Sequence, residues 1–154
     1  RVSLMLKNRG DKYVIFYMVD LDNFKNVNDT LGHIYGDQAI VETAQCLNKV
    51  FANQDCIGRL GGDEFAVCVS YQAFDEQGLL EFIGKKAQEI CAGNRRTYTD
   101  NAASVSITSS IGVAYAPDMG DSFTELYTQA DCALYYSKAN GKDQYHIYSP
   151  KDDN

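Results

Sequence analysis

Two acidic pairs stand out by where they fall. Asp20-Leu-Asp22 closes the run Tyr13-Val-Ile-Phe-Tyr-Met-Val19, and Asp63-Glu64 follows Gly61-Gly62. A short β-branched and aromatic run reads as a central strand buried on both faces. Its end at Asp20 sets a carboxylate at a sheet edge where backbone groups are also free. Two glycines between short apolar runs read as a hairpin turn that displays Asp63 and Glu64 at its tip. Carboxylates from two such sources can share a hard cation. Mg²⁺ takes oxygen ligands and keeps only one or two protein carboxylates, the rest being water and substrate phosphate, an arrangement suited to phosphoryl and nucleotidyl transfer. The plainer reading, a strand terminator and solvated turn acids, stays open beside it.

Other residues near these acids have matching chemistry. Asn23-Phe-Lys25-Asn-Val-Asn28 follows the first pair directly, so backbone N–H groups at a helix start and one Lys are available to phosphates. Asp37 reads either as a helix N-cap or, with Asn28, as an acceptor pair and an amide that suit the donors and acceptors of guanine. Lys138 and Lys142 flank the end of a late helix, where the macrodipole favours Lys in any case. His33 reads as a structural loop histidine.

These groups need elements to hold them. Residues 2–8 read as the end of a helix. From Asp37, the residues Ile40, Ala44, Leu47 and Phe51 form one apolar stripe of a helix that runs to about Phe51. Residues 56–60 and 64–70 read as the hairpin strands. A second helix from about Asp75 carries Leu79, Ile83, Ala87 and Ile90 on one face, with Gly93 placed to stop it. Residues 94–104 read as a loop or an edge hairpin, and 105–114 as a strand. Ser122-Phe-Thr-Glu125 is a capping-box pattern opening a third helix, with Leu126, Ala130, Ala133, Leu134 and Ser137 inward. Gly141 closes it, and 145–148 is a last short strand. The order predicts an α/β (α+β) fold of the split βαβ type, a mostly antiparallel sheet with helices on one face.

The chain has 154 residues, 45% hydrophobic, with a net charge of −7. That length fits one domain over 1–154. The acidic balance disfavours a broad grip on nucleic acid or an anionic membrane, and the longest apolar stretch falls far short of the roughly 20 residues that span a bilayer. The segment therefore reads as soluble, without nucleic-acid or membrane contact. Five cysteines form no CxxC pair and read as reduced, mostly buried thiols of a cytoplasmic protein. The start at Arg1 reads as an N-terminal truncation of a longer polypeptide.

Taken together, Asp20-Leu-Asp22-Asn-Phe24-Lys25-Asn-Val-Asn28-Asp29, then Gly32-His33 and Gly36-Asp37, then Arg59-Leu-Gly61-Gly62-Asp63-Glu64-Phe65, Ser110-Ile-Gly112-Val, Ala130-Asp131-Cys-Ala133-Leu-Tyr135 and Lys138-Ala-Asn-Gly141-Lys142 closely resemble the GGDEF domain of diguanylate cyclases. The resemblance extends over residues 13–148, and several separated motifs in order make it specific. It implies a nucleotidyl-cyclase, palm-like fold. It also implies a reaction in which the 3′-hydroxyl of one GTP attacks the α-phosphorus of another, twice, releasing two pyrophosphates and closing cyclic di-GMP.

Carried over by motif, the resemblance implies that Asp20, Asp63 and the Leu21 carbonyl hold Mg²⁺, with Mn²⁺ a possible substitute. Asp63 would also help deprotonate the attacking hydroxyl, with Glu64 as the second acid. Asn28 and Asp37 would read guanine; Lys25, the Asn23 and Phe24 backbone, Lys138 and Lys142 would hold phosphates. Two GTP molecules imply a homodimer, and the family implies an upstream sensor or regulatory domain, with any membrane anchor outside this segment. Lys142 stands where the family commonly has Arg, which exchanges a planar bidentate grip for a point charge. The family's upstream Asp-x-Leu-Thr-Gly-Leu-x-Asn-Arg segment is absent. The product-inhibition motif RxxD falls on Ala52-Asn-Gln-Asp55, leaving Asp55 as a remnant of that site. Intact Asp20, Asp63 and Glu64 favour an active cyclase over the alternative, an inactive GGDEF domain that serves as a GTP-binding or protein-interaction module.

Overall fold

A computed structural model of the chain describes residues 1–51 and 56–153. The elements are, in order, α1 (Val2–Lys7), β1 (Tyr13–Asp22), α2 (Phe24–Leu31), α3 (His33–Val50), β2 (Cys56–Gly61), β3 (Glu64–Tyr71), α4 (Glu76–Gly93), β4 (Arg96–Thr99), β5 (Ser104–Ala116), α5 (Phe123–Ala139) and β6 (Gln144–Ile147), with a 3-10 turn at Pro150–Asp153. The sheet runs β2-β3-β1-β5-β4, and β6 adds to β5. Every pairing is antiparallel except β5 with β6, so the mostly antiparallel α+β architecture expected from the sequence is the one observed.

The expectation of helices on one face needs correcting. β1 is buried from Val14 through Val19, and alternate strand residues point to opposite faces, so both faces need cover. Ile15, Tyr17 and Val19 pack with Leu47 of α3 and with Leu79, Ile83, Ala87 and Ile90 of α4. Val14, Phe16 and Met18 pack with Leu126, Ala130 and Leu134 of α5 and Leu6 of α1. A third cluster, including Leu21, Val27, Ala39 and Ile107, joins α2 and α3 to the far end of β5.

Several boundaries also move. β1 continues two residues past Asp20, because Asp20, Leu21 and Asp22 pair with Ser110, Ser109 and Thr108 of β5. α3 begins at His33, directly after Gly32, so Asp37 lies inside the helix and is not its N-cap. Gly93 is the last residue of α4, with Asn94 at the C-cap. The stretch after α4 is an edge hairpin strand, β4, paired with β5. The capping box is present: Ser122 accepts from Glu125 N and donates to Glu125 Oε1 at 3.0 Å, and all five residues expected inward on α5 are buried. Of the cysteines, Cys68 and Cys91 are buried while Cys46, Cys56 and Cys132 are half-buried, less enclosed than the sequence suggests. Among the described residues no helix is long and apolar enough to cross a membrane.

Candidate active site

The site lies where an apolar seam turns polar. On β1 the row Val14, Phe16 and Met18 faces α5, and the strand's period of two continues that row to Asp20 and Asp22. On α5 the inward residues Leu126, Ala130 and Leu134 continue one turn later to Lys138. Two carboxylates therefore meet one ammonium: Lys138 Nζ lies 2.7 Å from Asp22 Oδ1 and 3.1 Å from Asp20 Oδ2, and 3.5 Å from the Leu21 carbonyl. Helix and strand approach this closely because Gly112 has no side chain; a Cβ there would lie 2.0 Å from Ala130 O. Ser137 Oγ locks the contact by donating to Ile111 O at 2.8 Å.

The hairpin brings the second acidic pair to the same place. Gly62, at φ 51°, makes the turn, and Arg59 Nε donates to its carbonyl at 2.8 Å. Leu21 N donates to Asp63 O at 3.1 Å, and Glu64 sits opposite Asp20 in the β1–β3 register. Asp63 thereby stands beside Asp20.

The acids are held in different states. Burial pushes the Asp20 carboxyl up to about 6; Lys138 opposes this and the neighbouring Asp63 adds to it. Glu64 is also raised, by burial first and then by Asp131 and Asp63. Asp22 goes the other way. Burial, its largest single influence, raises it, yet hydrogen bonds from Lys138, Thr108 and Ser110 together with the Lys138 charge hold it below the ordinary value. It accepts from Thr108 Oγ1 at 2.6 Å, Ser110 Oγ at 2.8 Å and the Asp143 amide at 3.2 Å. Asp22 is thus fully engaged, whereas Asp20 Oδ1 is buried with no hydrogen-bond partner.

A cleft of ≈ 380 Å³ opens over these groups, lined by Asp20, Leu21, Asn23, Phe24, Lys25, Asn26, Asp29, Asp63 and Lys138. Asn23 enters it in the left-handed region at φ 72° and donates from Nδ2 to Ser106 O at 3.0 Å, which sets the start of α2 at the cleft floor. Lys25 is exposed and pairs with Asp29 at 2.6 Å. Asn28 and Asp37 lie outside the lining. Asn28 is half-buried against Gly36, where a Cβ would meet its Oδ1 at 1.8 Å, and Asp37, the next residue after that glycine, is exposed on α3. Lys142 is exposed in the turn after α5 and also lies outside the lining. Ala52 and Asp55 fall outside the described residues. A larger hollow of ≈ 620 Å³ on α4, lined by residues such as Glu76, Leu80, Lys85 and Tyr145, contains none of the paired acids.

Sequence reasoning singled out most of the cleft but gave Asp22 no role. It also passed over Asn26 and Asp29, and over Asp131, whose charge acts on Glu64. The signal for Asp22 was its spacing: on a strand, i and i+2 share a face, so Asp22 had to point where Asp20 points.

The residues fit a hard cation. An orphaned carboxylate oxygen at Asp20, with Asp63 beside it, is an oxygen donor set of the sparse kind Mg²⁺ accepts. Among the described residues no group of three or more His, Cys, Asp or Glu is arranged for a metal held by side chains alone.

A mostly antiparallel sheet covered by helices, with paired acids at one end of its central strands, is the palm-like architecture of nucleotidyl cyclases. The chain belongs to the GGDEF family: a family model described as diguanylate cyclase, GGDEF domain, matches residues 2–144. It is 35% identical over 141 residues to the bifunctional diguanylate cyclase/cyclic di-GMP phosphodiesterase MucR of Pseudomonas aeruginosa, covering 91% of this chain and 20% of MucR. It is 32% identical over 142 residues to the cyclic di-GMP phosphodiesterase PdeR of Escherichia coli, covering 92% of this chain and 20% of PdeR. The chain thus spans about a fifth of the length of these curated relatives. Among solved structures, the GGDEF domain of TpbB (also called YfiN) from P. aeruginosa superposes with a TM-score of 0.87 at 28% identity, covering 99% of this chain and 88% of that one.

Proposed function

We propose that this domain is an active diguanylate cyclase, which joins two GTP molecules into cyclic di-GMP and releases two pyrophosphates. The observation that carries the reading is the buried, unpartnered Oδ1 of Asp20 beside Asp63. An acid kept desolvated and short of a partner is costly to the fold, and a cation gives that cost a use. Asp20, Asp63 and the Leu21 carbonyl hold Mg²⁺, or Mn²⁺ in its place; when bound, it supplies positive charge against the phosphates.

The chain's own groups do the rest. Backbone N–H groups of Asn23 and Phe24, at the start of α2, donate hydrogen bonds to phosphate oxygens, and Lys25 and Lys138 add charge. Lys142, exposed in the turn after α5, is assigned to the phosphates by its place in the motif. Asn28 and Asp37 select guanine through its N1/N2 donors and O6/N7 acceptors. In each half-reaction the 3′-oxygen of one GTP bonds to the α-phosphorus of the other, the α–β phosphoanhydride bond breaks and pyrophosphate leaves. The hydroxyl proton passes to Asp63, with Glu64 beside it. One domain holds one nucleotide, so two copies meet face to face across a two-fold axis. Upstream domains of the whole protein control that meeting.

One observation favours a second reading, a GTP-binding or protein-docking module without turnover: a relative as similar as PdeR is named a phosphodiesterase. Incubation with GTP and Mg²⁺, followed by separation of products, tests the choice. Cyclic di-GMP and pyrophosphate, absent with Asp63→Ala, are expected; bound GTP without product would overturn the cyclase reading.

A further inference from the structure

The turn that carries Lys142 is held in an unfavourable backbone conformation. Lys142 and Asp143 are successive non-glycine residues at φ 61° and 50°, a left-handed pair that persists only where its surroundings over-determine it. Inside the α5–β6 segment, Lys142 N donates to Ser137 O at 3.0 Å, and Gln144 Nε2 donates to Asn140 O and Lys142 O at 2.7 and 3.0 Å. Two further ties come from elsewhere. The Asp143 amide donates to Asp22 Oδ2 at 3.2 Å. From the α4–β4 connection, Arg95 Nε donates to both oxygens of the Asp143 carboxylate at 3.0 and 2.9 Å.

We propose that Arg95 is a positioning residue for the active site, clamping the Lys142–Asp143 turn from outside the cleft. The mechanical chain is continuous. Arg95 fixes the Asp143 carboxylate, which keeps the Asp143 amide on Asp22. Asp22 in turn shares Lys138 with Asp20 at 2.7 and 3.1 Å. Lys142, one residue before the clamped acid, is thereby oriented as well. Arg95 touches no cleft-lining group itself, and its side chain is 53% exposed, so the pair is of the kind that adds little to global stability. Its removal should loosen the turn and leave the fold standing.

The inference rests on the cyclase reading for its nucleotide, so two measurements are paired. The first is backbone amide hydrogen exchange of the ligand-free protein at Lys142 and Asp143, which needs no nucleotide. Arg95→Gln should speed exchange at both, and Asp143→Asn, whose short side chain tolerates this backbone and keeps the amide, should do the same. The second is binding of Mg²⁺ with a GTP analogue carrying a methylene between the α- and β-phosphates. Arg95→Gln and Asp143→Asn should each weaken it about ten-fold, the double variant no further, with melting temperature moved by less than about 3 °C. Arg95→Lys, which restores a charge, should recover part of the affinity. Unchanged exchange at Lys142 and Asp143 in Arg95→Gln overturns the clamp, whatever the nucleotide does. If the unmodified domain ignores the analogue while exchange responds as expected, the cyclase reading fails and the clamp stands.

Discussion

Asp20→Asn should stabilise the domain in the absence of divalent cations while abolishing its response to them. The Asp20 carboxyl is raised from 3.8 to about 6, on a side chain 21% exposed. At about 1.4 kcal/mol per pH unit, ionising it in the folded chain costs roughly 3 kcal/mol more than in the unfolded chain. The sign follows from linkage. A carboxyl raised on folding contributes stability that is fully present below the unfolded value and is lost as pH rises through about 6. Near neutral pH the native acid is therefore a burden that Asn, of the same shape, does not carry, and Lys138 keeps Asp22 at 2.7 Å. For a domain of this size the gain corresponds to a melting temperature higher by roughly 4 to 10 °C. Thermal melts in a chelator should show that gain near neutral pH and show it shrinking as pH falls to about 4. Added Mg²⁺ should raise the melting point of the native domain, more at neutral than at acid pH, and leave Asp20→Asn unmoved. Asp22→Asn, two residues along the same strand, should do the opposite in chelator, because breaking a buried and fully engaged ion pair costs about 3 to 5 kcal/mol. If Asp20→Asn melts below the native domain at neutral pH without metal, Asp20 is a net stabiliser through Lys138 and is not an acid held ready for a cation.

Asp63→Ala should remove cyclic di-GMP synthesis with little change in melting temperature, since the side chain stands at a hairpin tip outside the core; normal turnover would contradict its assignment. Gly112→Ala forces a Cβ to within 2.0 Å of Ala130 O, so α5 must move and take Lys138 with it, costing about 3 kcal/mol by overpacking and most of the activity; a variant with native melting and native turnover would show that close approach is unnecessary. ATP should compete poorly with GTP, because polar groups matched to guanine are left unpaired by adenine, and Asp37→Ala should narrow the difference in a competition assay. Specific activity should rise with protein concentration if two copies must meet, and a flat dependence down to dilute protein would argue for a tight dimer or a single-chain reaction.

Most of the scaffold could be read from local pattern because each signal was local. The capping box at Ser122 and Glu125 fixes the start of α5 within four residues, and its inward stripe follows from the helical period alone. The placing of helices on the two faces of the sheet could not be read this way. A run apolar from Val14 to Val19 reads as buried on both faces, yet it carries no alternation that assigns a helix to either face, and the packing of α1 and α5 opposite α3 and α4 supplies that assignment. The N-cap reading of Asp37 fails for a related reason: an acid near a helix start looks like an N-cap until the helix is seen to begin at His33, four residues earlier, with Gly32 as its cap.

The contrast between Asp20 and Asp22 had the same origin. As sequence they are two acids of one motif, and nothing nearby separates them. Their difference is made by residues 86, 88 and 116 positions away, Thr108, Ser110 and Lys138, which all converge on Asp22. That convergence is what leaves the other acid open. Lys138 is committed to Asp22 at 2.7 Å and reaches Asp20 through Oδ2 only, so Oδ1 remains buried and unpartnered. A second donor placed on Asp20 would lower its cost and at the same time fill the position a cation needs. Saturating one acid and starving its neighbour is therefore a single arrangement, and the strain carried by Asp20 is a consequence of how completely Asp22 is satisfied.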